Sequence, residues 1–153
     1  MPSVDTKYFG TMDYREESVY DFPAGLPAFV DHRRFVLIEL PQHAPLVFLQ
    51  SLLTPELCFL AFPILVVDRD YHLGIAAEDL RALELNPDRQ PELGTEAMLL
   101  ALLSLHADSV PTANLLAPVV INIQNRRGLQ AIRHDSLYSH QHPFELRTAE
   151  QSC

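Results

Sequence analysis

The chain has no tryptophan, only two cysteines, five scattered glycines and no long apolar run. Each shortage removes a class of function. Aromatic anchoring must fall to the eight phenylalanines and five tyrosines. Isolated glycines provide no phosphate-cradling loop of the kind that opens nucleotide-binding folds. The longest apolar stretch, Ala97 to Leu105, is far shorter than the roughly 20 residues a spanning helix needs. The N-terminal Met1-Pro2-Ser3-Val4-Asp5 has neither the basic nor the apolar region of a secretory signal. Cys58 lies in the apolar run Leu57-Cys58-Phe59-Leu60, and Cys153 is the last residue. Pairing them would draw the tail into the core, so both are expected to be free thiols in a reducing, cytoplasmic compartment.

Positive charge is also scarce. Eleven Lys and Arg stand against twenty Asp and Glu, for a net charge of −9 and a pI near 5.1. Such a field repels a phosphate backbone. The best local counterweight is Arg126-Arg127 with Arg133 nearby, a cluster only two or three charges deep. Direct nucleic-acid binding and membrane binding are therefore not expected, and basic protein partners fit better.

What is present fits one globular domain spanning residues 1–153, with its core at about 5–144 and the tail at 145–153 expected to fray. The chain is 48% hydrophobic and 20% charged, which favours folding over disorder. Twelve prolines against five glycines indicate short elements joined by rigid turns, more a β-rich chain than a helical bundle. Lys7-Tyr8-Phe9 and Thr11–Tyr14 around Gly10 read as a hairpin. Val19–Phe22 reads as a strand ending at Pro23-Ala24-Gly25-Leu26-Pro27. Phe35–Leu40, Val47–Leu52 and Cys58–Phe62 are nearly continuous apolar runs, as expected of strands buried on both faces.

Ala76, Leu80 and Leu83 recur at helical spacing, with Glu78, Asp79 and Arg81 outward and Asn86-Pro87 as a stop, so one short helix is expected there. Ala97–Leu105 has helical composition but strand-like surroundings, and is read as a central buried strand. Val119–Ile123 and Leu129–Arg133 form the clearest hairpin, with Asn125 and Gly128 in a connection that favours left-handed residues. Together these elements predict a mostly-β class: an antiparallel β-barrel-like domain with one short peripheral helix.

No catalytic constellation emerges. His134, His140 and His142 raise a metal-hydrolase reading, but they fall in what reads as a terminal loop without matching Cys or carboxylate ligands. His134-Asp135-Ser136 has the residue types of a triad, yet triads are defined by spatial roles and not adjacency. Cys58 has no electropositive neighbour to activate it. No cofactor, metal or catalytic residue is assigned. Thr112-Ala113-Asn114-Leu115-Leu116-Ala117-Pro118 leaves two readings open: a turn in which Asn114 bonds the local backbone, or an exposed Leu115-Leu116 docking edge.

A set of motifs in fixed order then resembles the FliW family of flagellar assembly factors. It comprises Asp5–Gly10, Phe22–Phe29, Arg34–Leu37, Phe48–Ser51, Thr112–Asn122, Arg126-Arg127-Gly128-Leu129-Gln130 and Asp135–Ser139. The similarity spans about Asp5 to Phe144. It implies a compact antiparallel β-barrel-like fold in which Ala97–Leu105 is a strand. It also implies binding of newly made flagellin in the cytoplasm, binding of the RNA-binding translational repressor CsrA, and no enzymatic activity. The residues named for partner contact are Asn114, Leu115 and Leu116, then Arg126, Arg127 and Tyr138. Pro63–Tyr71 departs from the family's aromatic-rich pattern, and the helix after it is less acidic. That departure keeps a second reading in view, an orphan β-barrel adaptor with other protein partners.

Overall fold

The computed structural model describes residues 2–135 and 137–144. Cys153, Ser136 and the expected frayed tail lie outside these residues. In chain order the elements are β1 (Ser3–Thr6), β2 (Gly10–Asp13), β3 (Val19–Asp21), β4 (Arg34–Glu39), β5 (Val47–Ser51), β6 (Cys58–Pro63), α1 (Ile64–Val67), α2 (Ala77–Ala82), β7 (Ala97–Ser104), β8 (Thr112–Ala113), β9 (Val119–Asn122), β10 (Gly128–Gln130) and β11 (His142–Pro143). The main sheet runs β10-β9-β7-β6-β5-β4-β3, with β8 and β11 attached beyond the end of β7. Every strand pair is antiparallel. The sheet curls until its edges meet: Asp21 bridges Arg127, and the Asp21 amide donates to the Arg126 carbonyl at 2.9 Å. One bridge closes the ring without a full ladder, so the molecule is barrel-like but not a closed barrel.

The apolar character of Ala97–Leu105 follows from this placement. Along β7, Ala97, Leu99 and Ala101 join one core while Leu100, flanked by Met98 and Leu102, joins the other. Side chains alternate across a strand, so a strand covered on both faces shows no polar period at all. The inner core holds Phe22, Phe35, Leu49, Leu100 and Ile121. Phe22 and Phe35 meet edge-on with centroids 5.4 Å apart. A Cβ on Gly128 would fall 2.6 Å from the Phe22 ring, so only glycine lets the last hairpin lie this close. The outer core is sealed by α2, whose Leu80, with Leu83 just after it, packs with Leu99, Val120 and Leu115. At about 1.5–3 kcal/mol for each large aliphatic side chain buried, these two layers dominate the stabilisation.

Three expectations are corrected. The first hairpin is displaced: β1 is Ser3–Thr6, and Lys7-Tyr8-Phe9 forms the turn. Thr6 sets that turn, because its hydroxyl donates to the Gly10 carbonyl and accepts from the Phe9 amide. A second helix, α1, continues directly from β6 where the sequence reading saw no helix. In the last hairpin the left-handed residue is Arg126, at φ 58°, rather than Asn125 or Gly128.

Candidate partner-binding surface

The residues singled out for partner contact fall into two groups. The first centres on Asn114–Ala117. Asn114 Oδ1 accepts from the Leu116 and Ala117 amides at 3.1 and 2.9 Å, so this side chain shapes a turn. Leu115 is fully buried in the outer core, its carbonyl accepting from the Tyr71 hydroxyl at 2.8 Å. The exposed Leu115-Leu116 edge is therefore corrected: Leu115 is a core residue, and Leu116 beside it is half-buried. One residue of register separates the two, and Tyr71, 44 positions away, holds Leu115 inward.

Tyr138 belongs to the same neighbourhood. Its ring stacks on Tyr71 at 4.3 Å, and its hydroxyl accepts from the His72 amide. The Arg133 guanidinium lies 5.3 and 5.0 Å from the two ring centroids. It donates to both oxygens of Asp135 at 2.9 and 2.8 Å and to the His72 carbonyl at 2.6 Å. With its side chain only 4% exposed, Arg133 is not part of a basic surface. The Asp135 hydrogen bonds raise the Arg133 pKa and lower that of Asp135. A Cβ on Gly74 would sit 2.6 Å from this guanidinium, so a larger residue there would have to displace the arginine.

The second group is the β9–β10 turn. Asn122 Nδ2 donates to the Leu83 carbonyl at 2.8 Å, and its Oδ1 accepts from the Gln124 amide. Arg126 Nε donates to the Val19 carbonyl at 3.1 Å, and Arg127 pairs with Glu84 at 3.4 Å. The turn thus ties the end of α2 to the barrel seam. Of the expected Arg126-Arg127-Arg133 cluster, the buried Arg133 takes no part in the surface, while Arg126 is half-buried and Arg127 is exposed beside Glu84.

The side chains that raised catalytic or metal readings lie apart in the fold. Burial pushes the half-buried Cys58 thiol up to about 11, so it is not a thiolate at neutral pH. His134 and His140 are exposed, and only His142 lies on a strand. Among the described residues no group of three or more His, Cys, Asp or Glu is placed to hold a metal ion. No helix among them is long and apolar enough to cross a membrane.

Sequence reasoning missed a third feature. Leu65 and Val66 on α1 are 43% and 51% exposed, although their sequence neighbours are apolar. The signal was present in the departure at Pro63–Tyr71, but the aliphatic run did not announce a helix.

The fold defines a curled antiparallel β domain of the mostly-β class. The family model described as FliW protein matches residues 3–144. A flagellar assembly factor FliW from Syntrophomonas wolfei is 38% identical, the match covering 93% of this chain and 88% of that one. The flagellar assembly factor FliW from Bacillus subtilis is 31% identical, covering 92% and 95%. A solved structure titled "Crystal structure of the flagellar assembly factor FliW" superposes with a TM-score of 0.81 at 30% identity, covering 94% of this chain and 98% of that one. The chain belongs to the FliW family of flagellar assembly factors.

Proposed function

We propose that this chain binds newly made flagellin in the cytoplasm and, in exchange, the RNA-binding translational repressor CsrA. Bound to the repressor, it relieves repression of the flagellin message; bound to flagellin, it releases the repressor. Export of flagellin then frees the chain and restarts synthesis. The exchange needs no catalysis, since each partner depletes the free pool available to the other by mass action.

The observation that carries this reading is family membership across almost the whole described chain, residues 3–144. The net charge of −9 supports it. A protein that binds RNA presents basic surface, and an acidic antagonist meets such a surface with favourable long-range attraction.

Pull-down with the cognate flagellin and repressor tests the reading. Capture of each at micromolar concentration, with flagellin displacing the repressor, is the expected result. Capture of neither would end it. Raising salt from 50 to 300 mM is expected to weaken the repressor complex, because screening shortens the reach of the charge.

A further inference from the structure

The ridge of helix α1 borders two hollows, one apolar and one of mixed lining. Leu65 borders the first, a hollow of about 280 Å³ continued by Leu93, Ala97, Met98 and Ile123, with no polar side chain in its lining. Val66 borders the second, about 430 Å³, together with Pro45, Phe62 and Phe144. His142 is the one polar side chain there. Small-molecule sites hold convergent polar groups that orient the ligand, and the first hollow has no polar side chain to serve that role. Contiguous exposed apolar surface of this kind marks a protein-docking site.

The surrounding charge selects the occupant. Asp68 and Asp70 follow the ridge, and Glu92 precedes Leu93 at the edge of the first hollow. Among the described residues none of the three has an ion-pair partner, whereas the nearby Arg89 is committed to both oxygens of Glu96. Arg69 is the single cation between the two aspartates. A second copy of the chain would bring like rims together on molecules that each carry −9. A partner segment with an apolar face and basic flanks meets both features at once.

We propose that the α1 ridge and its two hollows dock an amphipathic segment of a protein partner, apolar on one face and flanked by Lys or Arg. Side chains from successive turns of the segment enter the hollows on either side of Leu65 and Val66, the groove mode of helix recognition. This rests on the partner-binding reading above.

The test uses the full chain labelled with ¹⁵N and three synthetic helical peptides. One has a leucine face and lysine flanks, one replaces the lysines with glutamate, and one replaces the leucines with glutamine. The Leu/Lys peptide is expected to shift amide signals of Ile64–Val67 and of 93–99, and the other two to bind at least tenfold more weakly. Leu65→Ser with Val66→Ser is expected to weaken Leu/Lys binding at least tenfold with an unchanged thermal melt. Shifts confined to other surfaces, equal binding by the Leu/Glu peptide, or full binding by the folded double variant would each overturn the proposal. So would sedimentation showing a dimer that the double variant abolishes. If the double variant melts early, the shift map on the unaltered chain still decides. If it captures flagellin and repressor as well as the unaltered chain does, the ridge proposal falls while the functional reading stands. An unaltered chain that captures neither protein ends that reading and leaves the peptide map to judge the ridge.

Discussion

Helices α1 and α2 pack on the same outer core, and they present opposite faces to solvent. Leu80 of α2 and Leu83 at its end are each 1% exposed, and Glu78 and Arg81 stand on the outer side. α1 buries only Ile64 and turns Leu65 and Val66 outward. Both are short, so neither is stable from propensity alone, and each forms because the sheet beneath it accepts an apolar side chain. The difference lies in what their other faces carry. α2 completes the core, and its outer side carries charged residues. α1 leaves aliphatic surface uncovered, which folding alone does not require.

The sharpest way to test that division is to place charge in the sealed layer. Leu115→Asp puts a carboxylate into the outer core, and unfolding is expected, with destabilisation above about 4 kcal/mol. Loss of the cooperative melt by circular dichroism would show it; a native-like melt would return Leu115 to the surface. Next, Leu80→Ala is expected to cost about 2–5 kcal/mol in chemical denaturation, and Leu65→Ala less than about 0.5 kcal/mol. Equal losses would erase the contrast between the helices.

Gly128→Ala probes the seam between core and hairpin, where the new methyl meets Phe22. A loss of about 1–3 kcal/mol is expected from overpacking, read from the same denaturation curves. The smallest effect concerns pH. The Glu96 carboxyl is held down to about 2, first by hydrogen bonds from Arg89 and then by the Glu92 amide. Its folded pKa lies below its ordinary value, so its contribution is present above about pH 4.5 and is lost as pH falls toward 2. Asp135 acts in the same direction through Arg133. Replacing Glu96 with Gln is expected to flatten that part of the stability-pH curve; an unchanged slope would assign the acid sensitivity elsewhere.

Much of this architecture was readable because β-branched and aromatic runs mark strands directly. Phe35–Leu40, Val47–Leu52 and Cys58–Phe62 fall within a residue or two of β4, β5 and β6. The helix at Ala77–Ala82 was legible from three apolar positions and a proline stop. β1 was missed because Ser3–Thr6 is short and mostly exposed, while the aromatic turn after it looked more like a strand. α1 was missed because Ile64-Leu65-Val66-Val67 has the composition of a strand, and only its exit from β6 bends it into a helical turn. Among the contact candidates, local sequence correctly suggested a turn at Asn114. It did not distinguish buried Leu115 from half-buried Leu116. It also misread Arg133, whose partners Tyr71 and His72 lie some sixty residues upstream.

The seam at Asp21 and Arg127 carries a consequence for the order in which the molecule assembles. Arg126 reaches Val19 across 107 positions of chain, whereas β3 through β6 each pair with the next strand along. Adjacent strands close short loops, and contacts of long sequence separation form late because they must overcome a larger loss of chain freedom. During synthesis from the N-terminus, the β3–β6 meander can therefore form while the ribosome is still adding the last hairpin. Its β3 edge stays open until the arginine turn emerges and caps it.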